Sequence, residues 1–193
     1  MRRNVTVLAF SGRENGNCAA VGKFISQYYS EDTQTNVCSF AINNVNFHNC
    51  GNCDYECLKP GQMCPGLNNT QREIMDRLCE SDLIYFVIPN FCGYPCGNYF
   101  AFNERSVGYF SMDRGKKAKY LAIPKRFIMI SNSANDQFVN AMRQQVNGEP
   151  EMLYLMTGKY QKRSIAGDLL TSQEAQSDLK AFLDADKSCR LCL

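Results

Sequence analysis

Two groups of residues have types and spacings that could do chemistry. Ser11, Gly12, Arg13, Gly16, Asn17 and Cys18 form a polar, glycine-punctuated loop between an apolar run and a helical pattern. Such a loop suits a phosphate, because amides at a helix N-terminus lack intrahelical acceptors and the helix dipole favours an anion there. Ser11 and Asn17 offer side-chain hydrogen bonds, Gly16 lets the backbone come close, and Arg13 adds a fixed positive fork. The loop is neither Gly-x-Gly-x-x-Gly nor a P-loop ending in Lys-Ser/Thr. The other reading of it is an ordinary helix start with a surface arginine.

Cysteine is the second group. Cys50, Cys53, Cys57 and Cys64 put four thiols within fifteen residues, interrupted by the turn formers Gly51, Pro60 and Gly61. Turns let a short loop fold back so that thiolates converge, as an iron–sulfur cluster requires. A structural zinc site is the alternative, against which the six-residue last gap counts. Reduced thiols without metal are the third. His48, the only histidine, reads as a solvent-facing loop residue. Cys92 and Cys96 read as small packing residues, and Cys18, Cys38 and Cys79 as core or helix-face thiols. Cys189 and Cys192 form a Cys-x-x-Cys outside any strand-to-helix context, and read as a frayed tail or a contact with another subunit.

The elements that must position these groups follow from periodicity. Short apolar runs at Val5–Phe10, Leu83–Ile88 and Phe127–Ile130 are those of strands buried on both faces. Asn36–Ile42 is more polar and suits a sheet edge, and Met152–Met156 supplies a fifth strand. Val21, Phe24, Ile25 and Tyr28 give the first helix its inner face. Thr70 with Glu73, and Thr171 with Glu174, read as capping boxes that open two further helices. A helix is expected from Gly97 to about Phe110, and a weaker one ending near Asn147. The basic stretch from Arg114 to Lys119 reads as a solvated loop rather than a site for cofactor phosphates. Strands alternating with helices imply right-handed βαβ units and an α/β sandwich with a five-stranded parallel sheet, order 2-1-3-4-5. Ligands of such sheets sit at the strand carboxyl ends, so the loops starting at Ser11, Pro89 and Ser131 should converge on one site. The chain reads as a single domain, 1–193, with residues 48–66 as a cysteine-rich insertion.

Composition narrows the classes. The chain has 193 residues, 45% hydrophobic and 21% charged, with a formal charge of +2. That balance argues against nucleic acid, an anionic membrane surface, or a strongly acidic electron carrier. No apolar run approaches the ~20 residues of a membrane span. Eleven cysteines, an odd number, with no secretory signal visible, point to reduced thiols and a cytoplasmic location.

The loop from Ser11 to Cys18 resembles the Ser-x-Arg-x-x-Gly-Asn-Ser/Thr flavin-phosphate loop of the NADPH-dependent FMN reductase family, with Cys18 where Ser or Thr is usual. A longer stretch agrees without a gap: Pro89, Asn90, Phe91, Cys92 and Gly93, then Glu104 and Arg105, are similar to that family's Pro-x-Tyr-x-Gly and Asp-Arg pattern. Phe91 replaces the tyrosine, Glu104 the aspartate, and Phe100 stands where lysine is common. The resemblance implies a flavodoxin-like fold and an FMN site built from Ser11, Arg13, Gly16, Asn17, Cys18, Pro89, Asn90, Phe91, Cys92, Gly93, Ser131 and Asn132, with Ser133 following. Iron–sulfur flavoproteins of the same fold carry a four-cysteine motif after the second strand. This likeness makes Cys50, Cys53, Cys57 and Cys64 the expected ligands of a [4Fe–4S] cluster.

The implied activity is hydride transfer from NAD(P)H to FMN and onward transfer to a quinone, a flavin or a protein acceptor, with a cluster relaying single electrons if one is held. No side chain is assigned acid–base work. The same resemblance implies a homodimer or homotetramer. Two other readings stand beside it: a non-catalytic electron carrier, although Ser-x-Arg replaces the Thr-x-Thr-Gly-x-Thr loop of flavodoxins, and a metal or redox sensor on the same scaffold.

Overall fold

Every second residue of the first strand meets the same layer of helices, and this alternation organises the molecule. In β1 (Arg3–Ala9), Val5, Val7 and Ala9 belong to one apolar cluster, while Leu8 and the following Phe10 belong to the other. The computed structural model describes residues 2–42, 50–51, 53–59, 62, 64–67, 69–111, 113–132 and 136–188. His48, Ser133, Cys189 and Cys192 lie outside the described residues.

The chain continues through α1 (Asn17–Ser30), β2 (Thr35–Ala41), α2 (Asn69–Cys79), β3 (Leu83–Phe91), β4 (Tyr94–Pro95), α3 (Gly97–Phe110), α4 (Arg114–Ala122), β5 (Lys125–Ser131), α5 (Asp136–Arg143), β6 (Glu151–Met156) and α6 (Gln173–Ser188). The long strands are parallel and stand in the order β2-β1-β3-β5-β6. Counting only these five, that is the expected 2-1-3-4-5. The two-residue β4 turns back antiparallel on β3, pairing Tyr94 with Phe91 and Pro95 with Asn90. As its polarity suggested, β2 is an edge strand.

Helices α1 and α6 cover one face over Val7, Tyr85, Val87, Ile128 and Leu155. The other face carries α2, α3, α4 and α5 over Leu8, Ile84, Phe86, Phe127 and Met129. Phe10 meets Tyr99 and Phe102 edge-on, with ring centroids 5.6 and 5.8 Å apart, and so fixes α3 against the end of β1. Gly22 lets α1 lie close, since a Cβ there would stand 2.9 Å from the Cβ of Ala9. Among the described residues, no helix is long and apolar enough to cross a membrane.

Four local expectations need correction. The basic stretch is the helix α4, not a loop: Asp113 caps it by accepting from the Lys116 amide at 2.8 Å, and Tyr120 anchors it in the core. Thr171 lies in a 3-10 turn, Leu169–Thr171, and Ser172 serves α6 instead, its hydroxyl accepting from the Ala175 amide at 3.3 Å. Helix α2 starts at Asn69, one residue before the expected cap Thr70, and α5 ends at Arg143 rather than near Asn147.

Candidate functional site

The loops leaving the carboxyl ends of β1, β3 and β5 meet around one cavity of about 580 Å³. Of the residues expected from the sequence, Ser11, Arg13, Gly16, Asn17, Cys18, Pro89, Asn90, Phe91, Cys92, Ser131 and Asn132 line it; Gly93 does not. Gly12, Ile130, Ser164 and Ile165 line it as well.

One end of the cavity is the start of α1. Gly16 is extended there (φ −81°, ψ 167°) and gives the helix no side-chain cap, so the first-turn amides keep their capacity for an anion. The preceding loop is tight: the Ser11 hydroxyl donates to the Arg13 carbonyl and accepts from the Arg13 amide at 3.3 Å. A Cβ on Gly16 would stand 2.8 Å from that hydroxyl oxygen. Burial, followed by the neighbouring Cys96, pushes the Cys18 thiol up, with Arg13 opposing. Burial does the same to Cys96. Both therefore stay neutral beside a place suited to negative charge.

The walls come from β3 and β5. Asn90 donates from Nδ2 to the Ser131 hydroxyl at 3.0 Å, linking the two loops where both are buried. Cys92 (φ 53°) and Gly93 (φ 89°) make the two-residue turn of the β3–β4 hairpin, a turn that needs positive φ at both positions. Cys92 lies in a tight turn but is exposed and lines the cavity, rather than packing as expected, whereas half-buried Cys96 packs against the apolar interior. Phe91 and Tyr94 face each other across the hairpin with 62% and 51% of their surface exposed, forming an aromatic lip. Asn132 is occupied by its own fold, its Oδ1 accepting from the Thr157 hydroxyl at 2.6 Å and the Gly158 amide at 2.7 Å.

The four cysteines expected to hold a cluster are not gathered into a metal-binding group among the described residues. They are neighbours, for burial and then the charges of Cys64, Cys50 and Cys53 push the Cys57 thiol up. Their burial nevertheless differs, with Cys50 exposed, Cys53 and Cys57 half-buried and Cys64 buried. Cys64 is buried, and its Sγ accepts from Arg105 Nη1 at 3.5 Å. Cys50 is exposed, with its amide donating to Glu104 at 3.2 Å. A Cβ on Gly108 would stand 2.4 Å from the Cβ of Cys64 and 3.8 Å from that of Cys57, so this segment docks on α3 through the space a glycine leaves. A [4Fe–4S] cluster is therefore without support among the described residues. Gly108 also lies eleven residues beyond Gly97, the α3 residue next to the cavity hairpin, or roughly 16 Å along the helix.

No protein-family model and no curated protein matches the chain. Solved structures do. The Trp repressor binding protein from Bacillus subtilis superposes with a TM-score of 0.59 at 12% identity, covering 93% of this chain and 99% of that one. The fold is flavodoxin-like. An FMN-dependent NADH-azoreductase from Bacillus anthracis, in complex with FMN, gives a TM-score of 0.57 at 10% identity, covering 96% and 99% of the two chains. FerB, a flavoenzyme NAD(P)H:(acceptor) oxidoreductase from Paracoccus denitrificans, gives 0.52 at 14%, covering 94% and 96%. At such identities the likeness establishes the flavodoxin-like architecture alone. The cavity lies where that architecture binds ligands, outside the carboxyl ends of the strands at the point where β1 and β3 send their connections to opposite faces.

Cavity-lining Ser164 and Ile165 carried no signal in side-chain type. They follow the fifth parallel strand, and the rule that led to the other three loops could have pointed to them.

Proposed function

We propose that the protein is an FMN-dependent NAD(P)H oxidoreductase. One observation carries this reading: loops from three strand ends enclose a single cavity with an arginine and free helix amides at one end and apolar, backbone-rich walls elsewhere. Its volume lies within the range of cofactor sites. In this reading the amides of Asn17 and Cys18, with Arg13, hold the flavin phosphate, and Ser11, whose hydroxyl bonds the Arg13 carbonyl and amide, shapes the loop that presents them. Pro89 to Cys92 and Ser131 to Asn132 hold the ring, mainly through backbone groups.

Bound there, FMN would supply acceptance of a hydride from a nicotinamide and release of electrons to an acceptor. The protein's own work is to bind, orient and exclude water. Asn90 ties the two ring-holding loops, the neutral thiols of Cys18 and Cys96 add no charge, and the Phe91–Tyr94 lip offers an apolar surface to a planar acceptor such as a quinone or a second flavin. No cluster is part of this reading, and neither is an acid–base side chain.

The test is titration of the purified protein with FMN and riboflavin, followed by steady-state oxidation of NADH and NADPH with a quinone. FMN should bind more tightly than riboflavin, and Arg13→Ala should remove most of that preference, about 10-fold or more for a lost charge-assisted hydrogen bond. Binding of FMN without sustained nicotinamide oxidation would instead make the chain an electron carrier. Failure to bind either flavin would refute the reading.

A further inference from the structure

The residues joining β6 to α6 cross the phosphate end of the cavity, and the side chains that hold them there are those the family resemblance assigns to the flavin phosphate. Arg13 donates from Nη1 to the Ile165 carbonyl and from Nη2 to the Ser164 carbonyl at 3.5 Å. Asn17, which is 4% exposed, uses both ends of its amide. Its Oδ1 accepts from the Leu169 amide at 3.0 Å, and its Nδ2 donates to the carbonyls of Ser164 at 3.2 Å and Arg163 at 3.5 Å. The orientation of this amide is not a free choice. A backbone N–H can only donate and a backbone carbonyl can only accept, so the oxygen must face Leu169 and the nitrogen must face Ser164.

A third contact closes the arrangement from the other side. Gly167 (φ +75°) passes so near the phosphate-end loop that a Cβ there would stand 2.4 Å from the Asn15 carbonyl oxygen. Positive φ and this approach both call for glycine. Residues 163–168 are therefore a strap drawn over the loop at three points: Gly167 on Asn15, the Ser164 and Ile165 carbonyls on Arg13, and Arg163, Ser164 and the following Leu169 on Asn17.

We propose that Asn17 is a positioning residue rather than a phosphate ligand: it pins this strap, and through the strap it sets the cavity wall made by Ser164 and Ile165. The two polar side chains then divide the work. Arg13 is bonded only to carbonyl oxygens at the surface, and a phosphate can compete with them for its charge. Asn17 is spent on both atoms in a buried setting, where breaking either contact leaves an unsatisfied group. The nature of the ligand rests on the flavin reading of the site, whereas the tether does not.

The experiment has one arm without flavin and one with it. Trypsin cuts after exposed Arg163, and the rate reports how often the strap lifts. Asn17→Ala should raise that rate about tenfold, the factor expected for one or two lost hydrogen bonds, with a melting temperature lower by only about 2–5 °C. Gly167→Ala, which alters a different contact and no cavity-lining side chain, should do the same and covers the case in which Asn17→Ala does not fold. In the second arm, Asn17→Ala should weaken FMN and riboflavin by the same factor, since a displaced wall affects both, whereas Arg13→Ala, which removes the charge as well as a strap contact, should weaken FMN more than riboflavin. An unchanged cleavage rate in both variants, or a loss in Asn17→Ala confined to FMN, would overturn the proposal. Should the unmodified protein bind neither flavin, the flavin reading falls, and the cleavage rates alone decide the tether.

Discussion

Replacing Gly16 with alanine separates shape from conformation at the phosphate end of the cavity. The backbone there is extended, with φ −81° and ψ 167°, so alanine meets no dihedral penalty. The added methyl would stand 2.8 Å from Ser11 Oγ and 3.3 Å from the Arg13 carbonyl oxygen. Ser11 is 3% exposed and its hydroxyl bonds both the carbonyl and the amide of Arg13, so it cannot turn aside without losing those partners. Overpacking of this kind costs about 1–3 kcal/mol, and a buried hydroxyl without a partner costs a similar amount. Gly16→Ala should therefore lower stability by about 2 kcal/mol in urea unfolding and weaken FMN by at least tenfold. Ser11→Ala alone should cost about 1 kcal/mol, the worth of its hydrogen bonds. The decisive measurement is the double variant: with the hydroxyl gone the methyl has room, so Ser11→Ala/Gly16→Ala should be no worse than Ser11→Ala within about 0.5 kcal/mol. Additive losses, or a neutral Gly16→Ala, would refute the steric account of this loop.

Two further expectations concern what holds the scaffold. Arg3 donates to Asp186 at 2.6 and 3.0 Å, and Tyr29, itself 2.8 Å from the Tyr85 hydroxyl, donates to Asp186 at 3.1 Å, tying α6 to β1 and α1. Burial opposes ionisation of Asp186, but the hydrogen bond and charge of Arg3, with Tyr29 and Arg126, outweigh it and hold the carboxyl below its usual range. The stability it adds is thus present above the ordinary carboxylate pKa, about 3.9, and lost as pH falls through the lower folded value. Asp186→Asn should cost about 1.5–3 kcal/mol at pH 7 in urea unfolding, and the gap to the unmodified protein should close on acidification below about pH 4; an equal gap at pH 3 and 7 would contradict this. Gly108→Ala should expose Cys64 to a maleimide, because the new methyl would claim space 2.4 Å from the Cys64 Cβ. Alanine is otherwise the better helix former by about 0.8–1 kcal/mol, so a stabilised variant with Cys64 still protected would show that the segment is not docked there.

The sheet was legible because three of its strands are buried on both faces and reduce to apolar runs, interrupted only by Thr6, while β2 betrayed its edge position through Asn36 and Ser39. Helix α4 was not legible: Gly115, Lys117, Ala118, Lys119 and Ala122 are exposed, and among the described residues of the helix only Tyr120 is in the core, so no apolar period emerges. Spacing put the four cysteines close together in the chain but carries no information on where each sulfur turns. Gly108 and Arg105, more than forty residues away, decide that for Cys64. The strap was invisible for a different reason. Residues 163–168 act through carbonyl oxygens and one glycine dihedral, and backbone groups are the same in every sequence.

That last point bears on what specifies the ligand. Most donors and walls of the cavity are main chain: the first amides of α1, the turn of the hairpin, and the carbonyls of the strap. The departures from the family pattern fall where side-chain identity matters least for holding a flavin. Cys18 offers an amide whether or not its side chain carries a hydroxyl, Phe100 is an exposed residue of α3, and Glu104 serves the Cys50 amide at the docked cysteine segment. Phe91 is different, because it stands at the mouth and shares the lip with Tyr94 and the rim with Ile165. Changes at Phe91 or Tyr94 should therefore alter which acceptor is reduced while leaving FMN affinity nearly unchanged, whereas changes at Gly16, Asn17 or Gly167 should do the reverse. A Phe91→Ala variant that lost FMN and kept its acceptor preference would place the specificity of this protein in its main-chain cradle instead of its aromatic lip.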